Sequence, residues 1–142
     1  MNDVALTERQ KIEALEQYIA QLPQVDLQTS HVLMGGIYAR TIYIPAGATL
    51  TGAVHRKDHV NVMVGDIMVS TDEGMTRLTG HHVIPTKAGM KRAGYALADT
   101  VWTTLCKTDE TDISRIEADL VEEPERLQTR QALSGPQTLR IE

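Results

Sequence analysis

The stretch "VNVMVGDIMVSTDEG", residues 60–74, decides the fold. Val60, Val62 and Val64 alternate with Asn61 and Met63, and a period of two marks a strand with two unlike faces. Val64-Gly65-Asp66 reads as a turn between two strands, and Asp72-Glu73-Gly74 as a tight hairpin turn before "MTRL". The same pattern extends in both directions, from about residue 31 to residue 107. "GGIYARTIYIPAG", closed by Pro45 and Gly47, and "ATLTGAVHR" precede it; "HHVIP", "MKRAGYAL" and "DTVWTTLCK" follow. Many short strands at this spacing predict an all-β sandwich or barrel.

Each end of the barrel carries a helix signal. At the N-terminus Thr7 and Gln10 form a capping box, Ile12, Leu15, Ile19 and Leu22 recur at helical spacing, and Pro23 stops the run. Glu13, Glu16, Gln17 and Gln21 make up the polar remainder. Beyond the strands, Thr111 or Asp112 caps a second helix whose stripe is Ile113, Ile116 and Leu120, with its acids in the first turn. The expected organisation is therefore an N-terminal helix (1–24), a β-barrel (25–108), and an acidic helix with an extended tail (109–142). That tail has little periodicity and breaks at Gly135-Pro136.

Composition narrows the function. The chain has 142 residues and a net charge of −5, and nucleic acid is not expected as a partner, because phosphate binding needs a surplus of Lys and Arg. Residues 109–126 hold eight acids against two bases, so that segment is −6 and the rest of the chain is +1. The single cysteine, Cys106, rules out an internal disulfide, fits a reducing compartment and reads as a small buried or edge hydrophobe. No apolar run reaches the length of a membrane span and no signal peptide opens the chain, so a cytoplasmic location without membrane contact is expected.

Histidines supply the candidate chemistry. In a strand His55, His59, Asn61 and Met63 share one face, and Val54, Val60, Val62 and Val64 share the other. The valine face reads as the core, and the histidine face as either a semi-polar interior or a solvated surface. His81 and His82 are adjacent and point oppositely. "HRKDH" (55–59) reads as a solvated turn before it reads as a binding motif.

From about residue 37 to residue 107 the pattern resembles the cupin family's small β-barrel, or jelly roll. Its first motif resembles G-x5-H-x-H-x3,4-E-x6-G and its second G-x5-P-x-G-x2-H-x3-N. Gly65 takes the last glycine of the first; Gly80, Pro85 and Gly89 take the turn positions of the second. The resemblance implies a metal held by three His and one Glu. Here the candidates are His55, Asp58 and His59, but the spacing is H-x3-H, Lys57 stands two after His55, and Arg92 stands where the second-motif His belongs. No metal and no cofactor is therefore expected, since cations repel a divalent ion at short range. The alternative use of the site is a small anion gripped by Lys91, Arg92 and Tyr95 near His55 and His59.

"GIYARTIYIPAGATLTGAVHRKDHVNVMVGD", "KRAGYALADTVWTTL" and "TDETD" further resemble small cupin-like proteins encoded by tailed bacteriophages. That likeness implies a non-enzymatic accessory protein of the virion, made in a host cytoplasm, whose partners are further copies of itself and other virion proteins. A cupin-type enzyme or binder, and a phage sponge for a host signalling molecule, are the alternatives.

Overall fold

The structure, a computed structural model, describes residues 6–122 and 124. The tail beyond, with its Gly135-Pro136 break, lies outside the described residues. Seven strands and two helices follow in the order α1 (Glu8–Ile19), β1 (Gln28–Met34), β2 (Ile37–Ile44), β3 (Thr49–Thr51), β4 (His59–Thr71), β5 (Gly74–Thr86), β6 (Ala93–Ala96), β7 (Thr100–Lys107) and α2 (Ile113–Leu120). All strand pairings are antiparallel, and the sheet curls into a half-barrel. Neither helix is long and apolar enough to cross a membrane.

The mainly β architecture with a helix at each end is as the sequence predicts. Thr7 caps α1 through the expected reciprocal bonds with Gln10, and Asp112 caps α2 by accepting from the Ser114 amide at 3.0 Å. α2 carries no acid in its first turn, contrary to expectation; the acids stand before it. One strand was not foreseen. β1 pairs with β2 through a two-residue Gly35-Gly36 turn in which both φ values are positive (60° and 78°), the backbone that a right-twisting hairpin demands.

Two expected turns are absent. β4 runs unbroken through Gly65, and β5 through Gly80, for 13 residues each. The two glycines are cross-strand partners, with φ of 148° and 81°. They bend the hairpin without ending it. The interruption falls on the other edge of β4: four residues, 97–100, stand opposite Gly65 and Asp66, splitting one long partner into β6 and β7. Such a bulge re-aims a strand and lets a sheet close on itself. The hairpin at Asp72-Glu73 is as expected, with Thr71 opposite Gly74.

The valine face is not the core. Asn61, Met63, Ile67 and Val69 point inward and are 0–4% exposed, whereas Val60 and Val64 lie on the outer face at 36% and 52%. The reason emerges over the full strand: the Asn61 face continues into Ile67 and Val69, while the valine face continues into Asp66 and Met68. With Ile42, Ile44, Leu50 and Ala96 the inward residues form the main core. A second cluster, Tyr38, Ala53, Cys106, Ile116, Leu120 and Val121, seals α2 against the sheet. Cys106 is buried as expected, and burial pushes its thiol up to about 11, leaving it protonated and unreactive at neutral pH.

Candidate functional site

A cavity opens into the half-barrel between the β3–β4 connection, β4, the segment before β6, and β7. Its polar side is organised by Asn61. The Asn61 amide donates to Thr86 Oγ1 at 2.7 Å, and its carbonyl oxygen accepts from Trp102 Nε1 at 3.1 Å and Thr104 Oγ1 at 2.9 Å. Both ends of this buried amide are thus satisfied within the protein. Arg92 reaches over the same group. One of its terminal nitrogens donates to Thr86 Oγ1 at 3.2 Å and to the Met90 sulfur at 3.5 Å, and its guanidinium carbon lies 5.4 Å from the Trp102 ring centre.

His55 and His59 complete the polar side, their ring centres 4.1 Å apart. His55 is held from behind by the end of α2. It pairs with Val121, Arg56 N–H donates to the Leu120 carbonyl at 2.7 Å, and Glu122 N–H donates to the Val54 carbonyl at 2.8 Å. His59 Nδ1 lies 3.1 Å from the Lys57 carbonyl. Burial pushes the His55 imidazolium down to about 3, with His59, Arg40 and Arg92 adding repulsion and the Ala53 carbonyl partly opposing it. His59 is lowered as well, by burial first and then by Arg92. Burial also lowers Arg92, which has no ion-pair partner among the described residues. At neutral pH the site is therefore two uncharged imidazoles beside one lone guanidinium.

No family model matches the chain, and no curated protein matches it. Solved structures do. A cupin superfamily protein from Desulfitobacterium hafniense DCB-2 aligns with a TM-score of 0.51 at 10% identity, over 63% of this chain and 84% of that one. KdgF from Halomonas sp. aligns with a TM-score of 0.51 at 18% identity, over 64% and 88% respectively. The fold is a cupin-like jelly roll. Identities this low carry the fold and stop there.

The metal centre that a cupin fold implies does not fit these side chains. Such a centre needs imidazoles and a carboxylate converging on one point. The cavity offers two imidazoles and a guanidinium with no acid among its lining residues, and the described residues contain no group of three or more metal-ligating side chains. Asp58, the expected carboxylate, is exposed and accepts from the Ala88 amide at 2.8 Å, with Lys87 at 3.7 Å.

Of the other sequence candidates, His55, His59 and Arg92 meet in the cavity, and Lys91 and Tyr95 do not. Lys91 turns the opposite way from Arg92, donating to Glu16 Oε2 at 2.7 Å and to the Gly52 carbonyl at 2.9 Å. Tyr95 is 42% exposed on β6. Glu16, expected on the polar face of α1, is 1% exposed. His81 is exposed, and His82 bonds the Thr79 carbonyl at 2.9 Å. Asn61, Thr86, Trp102 and Thr104 are site residues that the motif comparison did not single out. Strand alternation alone places Asn61 with His59.

The depressed histidines make stability depend on pH. The unfolded chain protonates His55 near 6.5, the folded chain only near 3. The stabilisation is complete above about pH 6.5 and is lost as pH falls, at no more than roughly 1.4 kcal/mol per pH unit for one group. Urea denaturation between pH 7 and 4.5, above the carboxylate range, should show this decline. A His55→Gln variant should have the flatter profile.

Proposed function

We propose that this protein is a binding module for a small organic anion, held in the His55–His59–Arg92 cavity. The observation carrying the reading is Arg92: a guanidinium drawn in from water, resting on Trp102, with no carboxylate to neutralise it among the described residues. Desolvating a cation without a counter-charge costs stability. A cation held in the cavity without a counter-charge is set for an anion, and a guanidinium recognises carboxylate or phosphate through paired hydrogen bonds.

The test is thermal denaturation with a panel of small carboxylates and phosphates. A ligand at a hundredfold excess over its Kd adds about 2.7 kcal/mol, a rise of several degrees in Tm. Arg92→Met should abolish that rise while leaving the ligand-free protein as stable as before or more so. An unchanged ligand response in the variant would refute the reading.

A second reading, the virion accessory role, draws on a different surface. The outer sheet face presents Val32, Met34, Ile37, Val60, Val64 and Val83, each 36–76% exposed. Exposed apolar side chains gathered on one sheet face suit contact with another chain. The phage likeness makes that chain a virion protein or a further copy of this one, and mass spectrometry of purified particles tests it. A sponge for a signalling molecule would use the inner cavity and would be restricted to ligands of its size.

A further inference from the structure

The lining of the cavity is divided by chemistry, and this division says more about the ligand than the charge does. Arg92, Asn61, Thr86 and Thr104 are joined by hydrogen bonds, with the two histidines beside each other, and the larger apolar lining residues are Ile42, Ile44, Leu50, Ile67 and Val69 with Met90 and Trp102. The cavity volume is about 60 Å³. At roughly 10–15 Å³ per water that is four to six atoms' worth of occupant, and most of its wall is apolar. Phosphate would fill the volume but leave several of its oxygens against isoleucine and valine, at the cost of unmade hydrogen bonds. A carboxylate with one to three carbons behind it presents two oxygens to the polar side and hydrocarbon to the rest.

The histidines add a second condition. His59 Nδ1 is directed at the Lys57 carbonyl, 3.1 Å away. The neutral His59 imidazole therefore has its one N–H committed and only a lone pair left over, with the His55 ring centre 4.1 Å from its own. A carboxylate is acceptor-only, and lone pair against lone pair repels. One proton on the pair turns that contact into a charge-assisted hydrogen bond. Without a ligand the proton is opposed by burial and by Arg92. The remaining charged groups near the pair do not reverse this: Asp58 is exposed beside His59, while Arg40 on β2 and Glu117 on α2 line the smaller cavity behind His55 with opposite charges. An anion against Arg92 changes the sign of the local field.

Building on the anion-binding reading, we infer that the cavity takes a short aliphatic monocarboxylate together with one proton, the carboxylate on Arg92 and the proton on the His55–His59 pair. The proton comes from solvent, and no bond of the ligand is made or broken. Because the free acid is ionised throughout pH 6–8, the pH dependence of binding belongs to the protein.

Titration calorimetry of the full chain with sodium butyrate at pH 6, 7 and 8, in buffers of differing ionisation enthalpy, tests this. The expected result is uptake of close to one proton, with affinity falling by up to tenfold per pH unit. Inorganic phosphate at matched ionic strength should give no heat above the salt control. A His55→Gln/His59→Gln variant should lose the proton uptake and with it the pH dependence. The inference is overturned if butyrate binds through Arg92 with no proton uptake, or if phosphate binds as tightly as butyrate; either result leaves the anion-binding reading standing. If no small anion binds, both fall. The proton count is measured on the native chain, so the test does not rest on the variant folding.

Discussion

A Lys91→Met variant is expected to lose about 3–5 kcal/mol of unfolding free energy in urea denaturation, the cost of orphaning one partner of a buried ion pair. The side chains of Lys91 and Glu16 are 6% and 2% exposed. The ammonium donates to Glu16 Oε2 and to the Gly52 carbonyl, and the Thr51 hydroxyl donates to the same carboxylate oxygen. Deleting the amine leaves a carboxylate desolvated under α1 and a carbonyl unsatisfied. Replacing both partners, as Lys91→Met/Glu16→Met, should recover most of the loss, because two apolar side chains of similar volume need no counter-charge. A double variant no more stable than the single one would show that the pair is not the source of the effect. The contact also ties α1 to β3, which places the consequence beyond the helix. Gly52 N–H donates to the Arg92 carbonyl at 2.8 Å. Neighbouring cations in the sequence thus divide two tasks, Lys91 anchoring a helix and Arg92 facing the cavity.

That division illustrates what could be read from the sequence and what could not. The hairpin at Asp72-Glu73, the capping box at Thr7 and the stripe of α2 were legible, because each is decided by residues within a few positions of one another. The jelly roll was legible because it sums many such local signals. Which face of β4 turns inward was not legible in the 60–64 run alone, where Val60, Val62 and Val64 outweigh Asn61 and Met63; only the full strand, with Asp66 on the valine face and Ile67 and Val69 on the other, favours the Asn61 face. The choice is made by β6 and β7, whose Ala96, Trp102 and Thr104 stand against the inner face from more than twenty-five positions away. The meeting of His55, His59 and Arg92 followed from the motif positions. Opposite directions for Lys91 and Arg92 are what strand alternation predicts, yet grouping them as one basic patch hid it. Glu16 misled for the reverse reason: a carboxylate within a helix's polar spacing reads as solvated until the lysine that neutralises it arrives from residue 91.

Gly65→Ala should be the most damaging single-methyl change in the sheet, by about 2–6 kcal/mol. Two costs add. The backbone φ of +148° lies where a Cβ is strained, at roughly 1–3 kcal/mol. The added carbon would also stand 2.5 Å from Thr100 Oγ1 and 2.7 Å from Thr100 Cα, an overpacking of similar size. Thr100 has nowhere to go. It is 1% exposed, accepts from the Asp66 amide at 3.1 Å and donates to the Ala98 carbonyl at 2.9 Å, bonds that define the bulge between β6 and β7. The partner glycine separates the two costs: at Gly80, with φ +81°, an added methyl would meet nothing within 4 Å, so Gly80→Ala should carry the backbone strain alone. A Gly65→Ala/Thr100→Ala double variant sharpens the distinction further. It removes the hydroxyl clash but leaves the contact with the Thr100 backbone, so rescue should be small. If Gly65→Ala unfolds within about 1 kcal/mol of the native chain, the close approach of β4 to the bulge is not what bends this sheet around its cavity.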